Sequence, residues 1–386
     1  MLNKDILYLI FEELQDNEKI LLRSCIFVNK TWCETSIPIL WRDPWKCLKR
    51  DKEKSLLNVI ISQLSEDSRN ILKKRKLLKK SYHHQKPLFN YISFCRHLNL
   101  DVIQRMIFNN YRSYKKSKIS IIQKEIFNLL INENMKITHL YIPNNFDYQI
   151  NLIPGIKRCF SEIEFLRCNT SINDKVMTGI SLVNLKTLEL DNDYYRILTG
   201  NYLENLSLNR LKILTASRVP INTLTNIIEN TNGHLTEIII EYISHDNISN
   251  KKIIQVIYQN CPNLKYLKLL FRNSNIIELE NLLINCQYLE GLFIIGSSVD
   301  AFDWDKLFEI LTKSSPISLF KFKIYSYIPP KLDSLKLFLD NWKNRYPMLL
   351  QVGRMKDTKD LVEKYKEEGI IKKYKNCLYG KDFEWI

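Results

Sequence analysis

The chain has 386 residues, of which 45% are hydrophobic and 11% aromatic, enough for two or three domains with a sizeable core. Nine glycines and 11 prolines are too few for low-complexity linkers, and no apolar run approaches the roughly 18 residues of a membrane span. The formal net charge is +15, and residues 46–90 hold much of it, with 13 Lys/Arg against 4 Asp/Glu.

The first 45 residues predict three short helices with more apolar surface than they can bury among themselves. Asn3 can cap the first helix, and Asp5 lies in its first turn. The apolar residues at helical spacing are Ile6, Leu7, Ile10, Phe11 and Leu14, then Leu21, Leu22, Cys25, Val28 and Trp32, then Ile37, Leu40 and Trp41. Because small domains bury little of their surface, we expect some of these side chains to contact a partner.

Residues 1–45 resemble an F-box. The residues that carry the resemblance are Leu2, Asp5, Ile6-Leu7, Ile10-Phe11 and Leu14, followed by Leu22, Cys25, Val28-Asn29-Lys30, Trp32 and Leu40-Trp41-Arg42. Asn3 stands where the family usually has proline. The resemblance implies docking to a Skp1-like adaptor, and through it to a cullin. The contact residues that it implies are Leu2, Ile6, Leu7, Ile10, Phe11, Leu14 and Trp32.

Residues 46–130 are predicted to form a basic, helical connector. Apolar spacing predicts a helical segment from Trp45 to about Lys80, broken by Pro87, and further helices over 102–108 and 122–130, with a loop over 111–118. The charge peaks between Lys73 and Lys80, which indicates either a nuclear-import or nucleic-acid segment or simply a solvated helix face. No interleaved aromatic residues accompany the charge, so the solvated face is favoured and nucleic acid is an unlikely partner.

A repeated unit governs residues 131–355: an aliphatic residue, two variable residues, an aliphatic, one variable residue and an aliphatic. It occurs eight times at a mean spacing of about 26 residues. The copies begin at Ile137, Ile163, Leu185, Leu211, Leu235, Leu264, Leu289 and Leu319. Helix-like segments at 223–229, 251–259, 277–284 and 303–312 separate the later copies. The pattern predicts an α/β fold, a curved leucine-rich-repeat solenoid of short parallel strands alternating with helices.

Residues that flank the inner aliphatics should face outward on one parallel sheet, where they can bind a protein substrate. Aromatic residues and arginine are enriched at such interfaces. The predicted contact residues are Tyr141, Arg167, Glu189, Glu237, Tyr266, Lys268, Phe293 and Lys323. The stretch 203–208 also fits the repeat, as a strand or an inserted turn.

The last residues, 356–386, are predicted to cap the solenoid. A helix over 335–342, a strand over 348–352 and a charged helix over 361–366 lead to Phe383 and Trp385, which we expect to dock. Solenoids need such caps to cover their final apolar layer.

The sequence carries no motif for catalysis or for a cofactor. His83-His84 and the Cys95/His97 pair lack the paired spacing of a zinc site. Nine scattered cysteines without CxxC predict reduced thiols and no disulfides. Lys4 and Asp5 stand where a signal peptide would be apolar, so we expect a non-membrane protein of the cytoplasm, the nucleus or both.

The order of F-box, connector and repeats resembles the F-box/leucine-rich-repeat family. That resemblance implies a non-catalytic substrate receptor of a Skp1–cullin–F-box ubiquitin ligase, which contributes proximity and orientation. The alternative is a leucine-rich-repeat scaffold with no ligase role, associated with nucleic acid through residues 46–90. The sequence alone predicts an apolar docking module joined to a repeated binding surface.

Overall fold

The computed structural model describes ten stretches of the chain, and every structural statement below refers to them: residues 3–17, 19–46, 48–78, 87–144, 146, 148–170, 174–192, 206–241, 246–296 and 302–376. The chain forms two compact units, Met1–Asn184 and Leu185–Ile386. The domain boundaries predicted after residues 45, 130 and 355 stay predictions, because contacts divide the chain only once, after Asn184.

The first unit begins with the three predicted helices, α1 (Lys4–Asn17), α2 (Lys19–Cys25) and α3 (Lys30–Arg42). Asn29 caps α3, and its side-chain oxygen accepts a hydrogen bond from the Trp32 backbone N–H at 2.9 Å. We call residues 3–46 the N-terminal module. Its core contains Leu7, Phe11, Leu22, Cys25 and Ile39.

The rest of the first unit places helices around a short parallel sheet. The helices are α4 (Glu53–Ser62), α5 (Glu66–Lys74), α6 (Leu100–Tyr111), α7 (Lys116–Leu130), α8 (Ile156–Cys159) and α9 (Asp174–Met177). The strands are β1 (His97–Asn99), β2 (His139–Tyr141) and β3 (Phe165–Cys168). The loop predicted over 111–118 is shorter, 112–115, because Tyr111 ends α6 and Lys116 begins α7. The helix predicted from Trp45 to about Lys80 is divided into α4 and α5. Parallel pairing aligns His97 with His139 and His139 with Phe165.

Eight parallel strands lie in the described part of the second unit. They are β4 (Thr187–Asp191), β5 (Ile213–Ser217), β6 (Glu237–Glu241), β7 (Tyr266–Phe271), β8 (Gly291–Gly296), β9 (Lys321–Tyr325), β10 (Met348–Val352) and β11 (Ile371–Lys375). Each strand pairs with the next one in the chain.

Helices connect most of these strands. They are α10 (Ile221–Glu229), α11 (Asn247–Asn260), α12 (Ile276–Asn285), α13 (Trp304–Ser314), α14 (Leu332–Asp340) and α15 (Lys359–Glu367). Strand and helix therefore alternate, and the predicted α/β repeat fold is confirmed. The helices predicted near 223–229, 251–259, 277–284 and 303–312 are confirmed as α10 to α13.

The strands occur where the repeated unit predicts them. In all eight copies the strand begins two residues after the first aliphatic, as in Leu264 and Tyr266. The inner aliphatics are buried, because they pack beneath the sheet against the helices. Two strands were not predicted: β1, within the supposed helical connector, and β11, after the charged helix.

Buried asparagines join consecutive repeats. Asn250 on α11 donates to the Leu270 carbonyl at 2.7 Å and accepts from the Arg272 backbone N–H at 3.2 Å. Asn275 donates to the Asn250 side chain at 3.1 Å and to the Asn247 carbonyl at 2.8 Å. These bonds satisfy backbone groups at the end of β7, where the hydrogen bonds between neighbouring strands stop.

Two predictions about the second unit fall partly or wholly outside the described residues. Within 203–208, residues 206–208 are described and form no strand. The docking of Phe383 and Trp385 lies outside the described residues. The predicted cap elements before them are confirmed as α14, β10 and α15.

Candidate functional site

The N-terminal module carries exposed apolar side chains on α1. Ile6, Leu9 and Ile10 are spaced three and four residues apart, so they share one helix face, and all three are exposed. Leu21 on α2 is also exposed, as are Phe27 and Val28 in the turn that follows it, with Phe27 88% exposed. These six residues are called the apolar face of the module below.

The predicted docking residues are divided between the core and the surface of this module. Ile6 and Ile10 are exposed, whereas Leu7 and Phe11 are 2% and 1% exposed. The predicted contacts are therefore corrected for Leu7 and Phe11, which hold the three helices together from inside. Leu14 and Trp32 pack partly buried against that core, with the Trp32 ring 5.3 Å from the ring of Phe11. Leu2 lies outside the described residues.

Arg42 fixes α1 to α3. Its guanidinium pairs with the Glu12 carboxylate and donates to the Tyr8 hydroxyl at 2.7 Å. The hydrogen bond from Arg42 holds the pKa of Glu12 below its usual value. This contact fixes the angle at which α1 presents the apolar face.

A cavity of about 480 Å³ lies over the sheet of the first unit. Its lining residues come from α1, from the end of α3 and from all three strands: Glu12, Arg42, Asp43, Lys46, His97, His139, Tyr141 and Phe165. Asp43 accepts from the Trp45 and Lys46 backbone N–H groups at 3.2 and 3.1 Å. The lining has equal numbers of carboxylate and cationic side chains, so its charge favours neither an anionic nor a cationic ligand.

Aromatic rings stack across the three strands beside this cavity. His97 and His139 lie 3.8 Å apart at 7°, and Phe165 follows at 5.3 Å. Asp43 lies 3.3 Å from His97 Nδ1, within ion-pair distance but without the alignment of a hydrogen bond. Burial, and secondly the adjacent His97, lower the pKa of His139 to about 4. His139 is therefore neutral at physiological pH.

The predicted residues Tyr141 and Arg167 lie side by side in this sheet, because β2 and β3 pair them directly. Tyr141 is half-buried and contacts Phe165 at 5.0 Å, while Arg167 is exposed. Both lie on the sheet face of the first unit, as the repeat pattern predicts. Their role in binding a substrate stays a prediction.

The second unit brings Lys268, Phe293 and Lys323 together in one row across β7, β8 and β9. The Lys268 and Lys323 ammonium groups lie 4.4 and 4.6 Å from the centre of the Phe293 ring. Lys268 also forms an ion pair with Glu241. Phe293 is thus enclosed by two cations, which interact with its π system.

This packing corrects the predicted exposure of three contact residues. Glu237, Phe293 and Lys323 are only 5%, 6% and 6% exposed. The ammonium groups of Lys268 and Lys323 lie over the Phe293 ring, and all three residues offer little area for direct contact. Burial raises the pKa of the Glu237 carboxyl, since it disfavours the charged form. Glu189, Tyr266 and Lys268 remain half-buried.

Tyr266 and Lys321 meet across Gly291 in the same sheet. Lys321 Nζ donates to the Tyr266 hydroxyl at 3.1 Å, and that hydroxyl donates to Glu290 at 2.8 Å. A Cβ on Gly291 would lie 2.8 Å from the Tyr266 ring, so only glycine leaves room for it there. Burial together with Glu290 raises the pKa of Tyr266 to about 12.

The basic segment has a structural explanation in its described part. Glu66 and Asp67 lie in the first turn of α5, and Lys73 and Lys74 lie in its last turn. This order complements the helix dipole, as a solvated helix requires. Lys79, Lys80, His83 and His84 lie outside the described residues.

The described residues provide little for metal or thiol chemistry. Within them, no group of three or more His, Cys, Asp or Glu is placed to hold a metal ion. The seven cysteines described are free, and burial raises the pKa of Cys95, Cys159, Cys168 and Cys286 to about 12. None of the described helices is long and apolar enough to cross a membrane.

Comparisons with known proteins show a similarity in structure but none in sequence. No protein-family model matches the chain. No curated protein matches it either. The crystal structure of the leucine-rich repeat-containing protein LegL7 from Legionella pneumophila is similar over 62% of this chain and 82% of that one, with a TM-score of 0.38 and 15% sequence identity.

Proposed function

We propose that the protein is a two-ended, non-catalytic adaptor. Its N-terminal module docks a Skp1-like protein, and thereby a cullin, while the repeated sheet binds a protein substrate for ubiquitination. The observation that carries this proposal is the apolar face on a module of about 40 residues. The ligase assignment itself comes from the F-box resemblance of residues 1–45.

The apolar face supports docking because exposure of apolar side chains to water is unfavourable. Six apolar side chains exposed on one small module are more than scattered surface residues explain, and such patches mark interaction sites. Ile6, Leu9 and Ile10 form a stripe that fits an apolar groove on a partner. The Arg42–Glu12 pair keeps the helix that presents this stripe in place without a partner.

The repeated sheet supports the second end. Parallel strands, most of them followed by a helix, expose one row of side chains per strand on an extended surface. Side chains such as Lys268, Phe293 and Lys323 stand there in a row across neighbouring strands, at a spacing set by the distance between strands. Such a surface can hold a protein segment, which is what an adaptor requires.

Co-purification with a Skp1-like protein tests the docking end. We expect Leu9→Asp with Ile10→Asp to abolish binding, because two charges would enter an apolar interface. Both positions are exposed, so the variant should fold, as circular dichroism would check. Ile277→Asp, at an exposed position on α12, is the matched control and should bind normally. Binding retained by the double variant would refute the docking assignment.

A scaffold associated with nucleic acid is the second candidate. The observation in its favour is a run of exposed basic residues, Lys73, Lys74, Arg75 and Lys76. This function predicts that nucleic-acid binding weakens steeply with salt and is lost when the four basic residues are replaced by glutamine. The adaptor function predicts that the same variant keeps its Skp1-like partner.

A further inference from the structure

Three consecutive turns at one edge of the second unit's sheet carry large exposed apolar side chains. The turns precede β8, β9 and β10. Tyr288 and Tyr346 are each 61% exposed, and Ile317 is 76% exposed. Exposed apolar residues that occur singly are ordinary, whereas a contiguous group of them marks an interaction site. These three residues are called the turn patch below.

The strand registers place the two tyrosines at equivalent positions. Tyr288, Ser318 and Tyr346 each precede by three residues a position of β8, β9 or β10, and these three positions pair directly with one another. The two tyrosines are therefore two strand spacings apart, about 9.6 Å along the edge of the sheet. The small Ser318 lies between them and leaves the space between the rings open.

Hydrogen bonds fix the three turns to one another. Ser318 Oγ lies 2.9 and 2.8 Å from the two carbonyl oxygens on either side of Tyr288. Arg345, beside Tyr346, donates from Nη1 to the Ser315 carbonyl at 2.9 Å, in the turn before β9. The spacing of the tyrosines is thus set by the fold, so a ligand need not order these turns when it binds.

A polyproline II helix matches the spacing of the tyrosines. It has three residues per turn and a rise of about 3.1 Å per residue, so one turn covers about 9.3 Å. Prolines three residues apart therefore lie on one side of the helix at nearly the separation of Tyr288 and Tyr346. Aromatic-lined grooves bind such segments because the helix is preformed and loses little entropy. Ile317 provides apolar contact between the two rings.

The charge beside the turn patch is positive. Arg345 precedes Tyr346, and its hydrogen-bond acceptors in the described part of the chain are three carbonyl groups within residues 312–316, not carboxylates. Lys343, two residues earlier, is exposed. A ligand carboxylate next to Tyr346 would form charge-assisted contacts with these cations. A second copy of this chain is a poorer occupant, because each copy carries a net charge of +15 and the copies repel.

We propose that the turn patch binds an extended segment of a partner protein with two prolines three residues apart, followed by acidic residues. The first proline packs on Tyr288 and the second on Tyr346, and the acidic residues lie beside Lys343 and Arg345. This inference goes beyond the adaptor function and does not rest on it, because the N-terminal module takes no part in the binding.

Three fluorescent peptides test the proposal on the full-length protein by anisotropy. The first has two prolines three residues apart, followed by two glutamates. The second has the same composition with the prolines two residues apart, which places their rings on different sides of the helix. In the third, lysines replace the glutamates. We expect the first peptide to bind about tenfold more tightly than either of the others. Binding of the first peptide no tighter than that of either control would overturn the proposal.

Substitution locates the binding to the turn patch. Tyr288→Ala and Tyr346→Ala should each weaken the first peptide by about tenfold, because each removes one ring that packs on a proline. Both side chains are exposed, so the variants should fold, as circular dichroism would check. Tyr327→Ala is the matched control, since this tyrosine is 69% exposed and follows β9 at the opposite edge of the sheet. Unchanged binding in the first two variants, or an equal loss in the control, would refute the site.

Other occupants of the turn patch give different results. A dimer of the protein alone, detected by sedimentation and lost in Tyr288→Ala, would show that a second copy covers the patch and would overturn the proposal. A thymidine oligonucleotide that binds more tightly than the first peptide and is lost in the same variant would do so too, since bases stack on aromatic rings. Binding of a Skp1-like protein is measured separately. If it persists while the peptides fail, only the turn patch proposal is refuted.

Discussion

His97 and His139 lie face to face, with ring centres 3.8 Å apart and planes 7° from parallel. They occupy paired positions on β1 and β2, and Phe165 on β3 continues the stack. One stack thus joins the three strands of the first unit. Asp43, next to the end of α3, lies beside His97 and brings the N-terminal module to the same place.

This stack should make the first unit sensitive to acid. The pKa of His139 is about 4 in the folded chain because burial, and then His97, disfavour its charge, whereas an unfolded histidine titrates near 6.5. The unfolded state therefore binds a proton first as pH falls. The resulting stability is full above about pH 6.5 and is lost progressively down to about pH 4.

Denaturant unfolding at pH 7 and pH 5 measures that loss. We expect His139 to account for roughly 1–2 kcal/mol of the difference, after allowance for solvent screening of a half-buried ring. His139→Phe keeps a ring in the stack and removes the titration, so its stability should fall less between the two pH values. An unchanged pH dependence in this variant would show that other groups are responsible.

Truncating a buried and an exposed apolar residue of α1 should destabilise the chain to very different extents. Phe11→Ala empties a core position and should destabilise the chain by about 3–5 kcal/mol. Ile10→Ala removes an exposed side chain and should cost less than about 0.5–1 kcal/mol. Denaturant midpoints with unchanged slopes would measure both. Similar losses for the two variants would contradict the burial described for α1.

The buried Asn250 should be among the most sensitive polar positions. Asn250→Ala would leave the Leu270 carbonyl and the Arg272 N–H without this side chain in a buried place. We expect a loss of about 2–4 kcal/mol. Asn285→Ala, at an exposed position, is the control, and thermal unfolding of the two variants compares them. A shift no larger than that of the control would mean that water replaces the amide.

Glu237 should lower stability at neutral pH. Burial raises the pKa of Glu237 in the folded state, so the folded chain binds the proton more tightly than the unfolded chain. The stability that this proton provides at low pH is lost as pH rises from the unfolded pKa near 4.3 through the folded pKa. Glu237→Gln should therefore stabilise the chain at pH 7 and have less effect at pH 4. Glu13→Gln, on the exposed surface of α1, should change little at either pH. Greater destabilisation by Glu237→Gln at pH 7 than at pH 4 would refute this account.

The strand positions were predictable because the repeat encodes packing directly. Aliphatic residues at the first, fourth and sixth positions of each unit must be buried together, as Leu264, Leu267 and Leu269 are. The strand β1 escaped prediction because Cys95 replaces the first aliphatic and the next unit begins 42 residues later. β11 was missed because Lys372, Lys373 and Lys375 are typical of a solvated surface.

The exposure of individual side chains was less predictable. Spacing shows that Leu7 and Phe11 share a face and that Ile6 and Ile10 share the adjacent one, but it does not say which face is inside. Phe293 is covered because the flexible Lys268 and Lys323 side chains fold over its ring. Such coverage depends on side-chain conformation across strands far apart in sequence, which periodicity does not encode.

In the sheet of the second unit, the strands β5, β8 and β10 have no charged residues and each separates two strands of like charge, which constrains how this array can change in length. A deletion of the single repeat that contains β5 would place Glu189 and Asp191 beside Glu237 and Glu241, at about 4.8 Å strand spacing. Like charges directly opposite one another are destabilising. Loss or duplication of repeats in pairs would preserve the pattern. Loss of β8 or β10 alone would likewise bring lysine-bearing strands together, whereas loss of β6, β7 or β9 alone would not, so the uncharged strands are the repeats that the array retains most strictly.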